Sequence, residues 1–155
     1  MLLNYRLPRE PSTPRITVWR KLKRLGVAQL GDGLVALPAD ARTQEQLEWV
    51  AEDIAEAGGS STLWRARLTS RSQERALIRG MVDARAAEYR AITERATVAG
   101  SRDSERLRTL RTLRGELRKI RRRDFFPPPE WDQARAAVQA LTAGANRDRS
   151  TEVGS

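Results

Sequence analysis

An α+β fold, with a small sheet ahead of a helical region, is predicted by three features of the chain. Within the first 70 residues, runs of strand and helix character follow one another as β, α, β, β, α, β. Prolines and glycines punctuate these runs, so each element is short. From about residue 73 onward only helical spacing of apolar residues remains. A split βαβ order of this kind most often folds as a ferredoxin-like sheet with two helices on one face and the other face partly open. The predicted organisation is a ferredoxin-like core over 1–69, a helical extension packed on it over 70–143, and a disordered tail over 144–155.

The first strand is Leu2 to Leu7, with Leu3, Tyr5 and Leu7 on one side and Asn4 and Arg6 on the other. Pro8, Pro11 and Pro14 make the next stretch a loop. Pro14 to Gly26 is a short basic helix. Thr13 is the expected cap, proline suits the first turn, and Gly26 suits the left-handed terminus. Val18, Leu22 and Leu25 line its apolar face. The runs VAQL and LVAL, separated by Gly31-Asp32-Gly33, predict a hairpin, with one long bulged strand as the alternative. A second helix spans Thr43 to Ala57, with Thr43 and Gln46 as the expected capping pair and Leu47, Val50, Ala51 and Ile54 inward. Ser61 to Leu68 is the last strand. A long helix follows from about Gln73 to Val98, with Gly80 as a weak point. Ala99 to Asp103 is a turn, and Ser104 caps a further helix. Its apolar seam is Leu107, Leu110, Leu113, Leu117 and Ile120. Asp124-Phe125-Phe126 and three prolines end that helix, the two Phe anchoring the turn. The last helix runs from Glu130 to Ala143.

The formal net charge is +9, from 29 Lys+Arg against 20 Asp+Glu. That balance favours polyanionic partners, although an arginine-rich proteome produces the same composition. The chain contains neither Cys nor His. Thiol nucleophiles, disulfides, zinc fingers and imidazole acid–base chemistry are therefore excluded. No apolar run approaches the ~18 residues of a membrane span, and none resembles a secretory leader. A cytoplasmic protein without membrane attachment is predicted.

Positive charge is concentrated on two helices. The first carries Arg15, Arg20, Lys21, Lys23 and Arg24 with no acid among them. From Arg102 to Arg123 there are ten cations against three acids, ending in Arg118, Lys119, Arg121, Arg122 and Arg123. These ten named side chains are the expected DNA-binding set, with solvated helix faces as the alternative. Arg6, Arg65 and Arg67 are expected to approach one another on the sheet and to hold a small oxyanion. Neither a Walker A loop nor GxGxxG is present, and the carboxylates lie at solvent-face spacing. No catalytic residue, metal site or cofactor is predicted, and the chain is not expected to be an enzyme. Trp19, Trp49, Trp64 and Trp131 lie at or beside apolar stripes and are expected in the core.

Two blocks carry a family resemblance. Tyr5, Arg6, Leu7 and Pro8, followed by Val18-Trp19-Arg20-Lys21-Leu22-Lys23 with Leu25 and Gly26, resemble the opening of the N-terminal domain of the chromate-resistance regulators called ChrB. Asp124, Phe125 and Phe126, followed by an Ala-rich helix, resemble the end of that domain. The resemblance implies a cytoplasmic bacterial transcriptional regulator linked to chromate resistance that binds double-stranded promoter DNA, and such a regulator is expected to be a homodimer. Full-length relatives carry a further C-terminal domain credited with chromate sensing. The alternative is thus an interaction module that partners a separate sensing protein. The strand order also resembles small ferredoxin-like CRISPR-associated nucleases and the middle domain of phenylacetate-pathway repressors. In the nucleases an Asp at the end of the first strand binds metal. Here Arg6 follows Tyr5, and an arginine opposes a divalent cation.

Overall fold

In a computed structural model, described over residues 1–99 and 103–152 with side chains over 1–99 and 105–143, the element order matches the periodicity. Strands β1 (Leu2–Arg6), β2 (Ala28–Gly31), β3 (Leu34–Ala36) and β4 (Ser60–Trp64) form one antiparallel sheet in the order β2-β3-β1-β4. Helices α1 (Thr13–Leu25) and α2 (Ala41–Glu56) lie between the strands in sequence. The chain continues as α3 (Arg71–Thr97), α4 (Asp103–Arg122) and α5 (Glu130–Glu152). It divides into two compact units, Met1–Met81 and Val82–Ser155.

In the first unit, Leu3 and Val35 are opposite each other on β1 and β3 and are fully buried. They share the sheet face with Leu63 of β4, because paired residues project to the same side. Val18 and Leu22 of α1 and Leu47, Val50 and Ile54 of α2 complete this core. Each such side chain contributes roughly 1.5–3 kcal/mol of burial. Lys21 of α1 pairs with Asp53 of α2 across the helix–helix contact.

Local chemistry differs from expectation at the caps. The N-cap of α1 is Ser12, without a side-chain cap bond, and Pro14 follows in the first turn. Gly26 closes α1 at φ 78°. The capping box of α2 is Asp40 with Thr43, one turn ahead of the Thr43–Gln46 pair read from the sequence. Thr43 N donates to Asp40 Oδ1 at 2.7 Å, and this bond holds the Asp40 carboxyl below its ordinary pKa. Gly33 turns the β2–β3 hairpin at φ 69°, where a Cβ would collide with the backbone carbonyl of Tyr5.

The last strand is shorter than predicted. β4 pairs with β1 from Arg6↔Ser60 to Leu2↔Trp64, and β1 offers no further partner beyond Leu2. Leu68 accordingly lies exposed outside the sheet. Trp49 and Trp64 are 63% and 56% exposed, so the expectation that they are core residues is wrong. The register explains Trp64, which shares the sheet face of Leu2, Asn4 and Arg6, opposite the buried side.

The second unit has its own core. Tyr89, Ile92 and Ala96 of α3, Leu110, Leu113, Leu117 and Ile120 of α4, and Ala134, Val138 and Leu141 of α5 are buried together. The seam predicted on α4 is therefore real, except that Leu107 is only half-buried. In α3, Leu77, Ile78, Met81 and Val82 are half-buried and Ala84 is exposed; full burial begins at Ala86. The final helix continues to Glu152, past the Ala143 end predicted from loss of periodicity. No proline interrupts this stretch, and its Ala, Arg and Glu residues are compatible with helix. The Ser104 cap, most of the 99–103 turn and the end of the tail lie outside the described residues.

Gly80 sits in α3 with open space where a Cβ would stand. Gly80→Ala is expected to raise the unfolding free energy by about 0.5–1 kcal/mol, because it removes backbone freedom without a clash. A urea titration followed by circular dichroism reads this directly; no gain would show that the site needs glycine.

Candidate functional site

Two basic surfaces survive the fold, one in each unit. In the second unit, α4 places Arg108, Arg111, Arg118 and Arg122 at helical spacings of three, seven and four. At roughly 100° per residue they fall within one arc of about 80°. That arc lies away from the buried seam of Leu110, Leu113, Leu117 and Ile120. Over fourteen residues it extends about 21 Å along the helix. All four side chains are exposed, and among the described residues none makes an ion pair. Arg114 flanks them and donates to the neutral Thr142 hydroxyl at 3.0 Å. Lys119 is exposed on the other flank.

Arg121 and Arg123 have other partners. Arg123 donates to Glu88 at 2.8 Å, and Glu88 also pairs with Arg85 at 3.2 Å. Arg121 lies over the Trp131 ring at 5.5 Å and donates to the backbone carbonyl of Asp124. Of the five cations read from the end of α4, these two hold the α4–α5 turn in place. Arg118, Lys119 and Arg122 remain facing solvent.

In the first unit, Tyr5, Arg6, Arg9, Ser12, Arg15 and Trp19 belong to the lining of an open cleft of about 790 Å³. Asp32 is its one carboxylate, and Ile16 and Gln29 extend the wall. Burial raises the Tyr5 pKa above its ordinary value, with Arg15 acting in opposition, so the phenol remains protonated at neutral pH. The α1 cations divide. Arg15, Arg20, Lys23 and Arg24 are exposed, whereas Lys21 is taken by Asp53. Lys23 stands 5.2 Å over the Trp19 ring.

The three residues expected to hold an oxyanion do not converge. Arg6 ends β1 opposite Ser60, while Arg65 follows Trp64 at the other end of the same strand pair. Arg65 donates to Gln44 of α2, on the helix-covered side, and Arg67 is exposed in the segment after β4. The alternation of β4 therefore sends Arg6 and Arg65 to opposite faces. Arg6 instead shares the lining of the cleft with Arg9 and Arg15, which the sequence did not group with it.

No group of three metal-ligating side chains occurs among the described residues. No described helix is long and apolar enough to cross a membrane.

The profile of the family described as Protein ChrB, N-terminal, matches residues 15–98. The chain belongs to the ChrB N-terminal family. It is 31% identical over 153 residues to Protein ChrB of Cupriavidus metallidurans strain CH34, an alignment that covers 91% of this chain and 47% of that protein. The chain thus spans about half the length of that relative. No solved structure matches it.

The two blocks that suggested the ChrB N-terminal family occupy different settings. Trp19 and its basic neighbours border the cleft and the exposed side of α1. Asp124, by contrast, is a buried anchor and is only 7% exposed. Its Oδ2 accepts from the fully buried Tyr89 hydroxyl at 2.8 Å. Burial and this bond push the Tyr89 pKa well above its ordinary value. Tyr89 also meets Trp131, with ring centroids 5.5 Å apart. Phe125 and Phe126, next in the chain, are half-buried. The sequence signal was an acid placed directly after a cationic run, where a solvent-facing acid is the ordinary reading. Burial also lowers the Arg85 pKa, with Glu88 acting in opposition.

Proposed function

We propose that this chain is the DNA-contacting part of a chromate-resistance regulator of the ChrB type, cytoplasmic and without catalytic activity of its own. The observation that carries this reading is the exposed arginine arc on α4, without an ion pair among the described residues. A row of exposed guanidinium groups about 21 Å long suits successive phosphates, and each contact releases counterions. Exposed Arg20, Lys23 and Arg24 on α1 are further phosphate contacts. Family membership supports the regulatory role. The strand order β2-β3-β1-β4, with α1 and α2 as crossovers, supports a ferredoxin-like arrangement for the first unit. The protein acts as a homodimer in this reading, and a two-fold operator would match it.

The test is fluorescence anisotropy on a duplex from the gene's own upstream region and on a scrambled duplex, across a salt series. The native duplex is expected to bind more tightly, with a steep negative slope of log K on log salt. Changing Arg108, Arg111, Arg118 and Arg122 together to Gln is expected to flatten that slope by about 3–4. An Arg121→Gln variant is expected to leave it unchanged, since that side chain is held against Trp131. An unaltered slope in the fourfold variant would remove α4 from the interface.

A further inference from the structure

The cleft of the first unit has a composition that the DNA reading does not use. Arg6 comes from the end of β1, Arg9 from the loop, and Arg15 from the first turn of α1. Among the described residues none of the three makes an ion pair, so three like charges share one concavity. The first turn of α1 holds no acid, and the Ser12 side chain makes no cap bond. The positive end of the α1 dipole therefore adds to the cations. This end of the cleft suits a doubly charged anion.

A bare tetrahedral oxyanion would leave most of the space unfilled. At about 790 Å³ the cleft falls within the ~300–1,000 Å³ of small-molecule sites. The rest of the lining is not cationic. Trp19 offers an aromatic ring, Ile16 is apolar and 47% exposed, and Gln29 and Asp32 accept hydrogen bonds. Anion recognition beside an aromatic wall with neutral and acidic acceptors calls for a ligand with a phosphate, a flat ring and donor groups between them. Tyr5, protonated at neutral pH, supplies one hydroxyl donor to the phosphate side.

We propose that this cleft binds a nucleoside monophosphate, with the phosphate among Arg6, Arg9 and Arg15 and the base against Trp19. Its acceptors, Gln29 and Asp32, take the ribose hydroxyls or the exocyclic amine. A backbone phosphate of DNA shares the first half of this chemistry but not the second, because a paired base is not free to reach Trp19.

Titration calorimetry on the full chain tests the site with AMP, GMP, CMP and UMP, and with adenosine and inorganic phosphate as part-ligands. At least one nucleotide is expected to bind tenfold or more tightly than phosphate, and AMP tightly relative to adenosine if adenine is the base accepted. Arg9→Gln with Arg15→Gln, both exposed and clear of the core, is expected to cost tenfold or more, with an unchanged circular dichroism spectrum. The fourfold α4 variant is expected to keep nucleotide affinity, which separates this site from the DNA reading. Equal affinity for phosphate and every nucleotide would overturn the nucleoside assignment, and absence of heat with all probes would overturn the site. Unchanged nucleotide binding in the Arg9/Arg15 variant would place the ligand elsewhere. Loss of duplex binding in that variant, without nucleotide binding by the parent, would assign the cleft to DNA phosphate instead.

Discussion

Leu113→Ala is expected to lower the unfolding free energy of the helical unit by about 3–5 kcal/mol. Leu113 is fully buried on the α4 seam, in the cluster that also takes in Tyr89, Ile92, Val138 and Leu141. Removing three carbons there, one methine and two methyls, loses the transfer energy of those atoms and leaves a cavity among three helices that close only partly over it. Leu107→Ala on the same helix is expected to cost much less, about 1 kcal/mol, because Leu107 is half-buried and water already reaches it. Urea unfolding followed at 222 nm gives both values. Equal costs at the two positions would mean that the seam of α4 is not packed as described.

The second large effect is expected at Asp124. Asp124→Ala removes the acceptor of the buried Tyr89 hydroxyl and one compensating charge beside Arg85. The expected loss is about 2–4 kcal/mol, the cost of stranding a buried donor that had a charged partner. Tyr89→Phe is expected to cost a similar amount, about 2–4 kcal/mol, since Asp124 Oδ1 is buried without a partner and the carboxylate would lose the Tyr89 hydroxyl as donor to Oδ2. Asp124→Ala combined with Tyr89→Phe is expected to cost less than the sum, because no orphaned donor remains. The pH dependence has a definite sign. Tyr89 keeps its proton to higher pH in the folded chain than in the unfolded chain. Its contribution is therefore complete below pH ~10 and is lost as pH rises beyond that value, and Tyr89→Phe should remove this part of the alkaline destabilisation. Additive losses in the double variant would show that the two groups act separately.

These anchors explain why the basic end of α4 was only half legible. RKIRRR is one uninterrupted cationic stretch in the sequence, and nothing local distinguishes its members. Arg123 is separated in the fold because Glu88 lies 35 residues earlier on α3. Arg121 is separated because Trp131 lies on α5. The free arc runs instead through Arg108 and Arg111, which spacing alone places beside Arg118 and Arg122. That part was available from periodicity and was obscured by the density of charge at the C-terminal end. Lys21 repeats the lesson in the first unit: its partner Asp53 belongs to the acidic face of α2, which a sequence reader assigns to solvent.

What the sequence by itself determined is the set of elements and their order. Helical spacing marks α1, α2, α4 and the start of α5, alternation marks β1, and Gly26 and Gly33 stand where positive φ is required. These features arise from interactions within about four residues, or from backbone freedom at one residue, so the local pattern contains them. The VWRKLKRLG block likewise carried family membership without any coordinates. Tertiary structure alone decided where β4 stops, which face Trp64 takes, and how the charges are distributed among partners. Strand length depends on the length of β1 alongside, and face depends on a register set across 60 residues. The separation of Arg6 from Arg65 follows from the same register. A cation is free or engaged according to a carboxylate or ring that is distant in sequence, and such pairings exist only once the chain has folded.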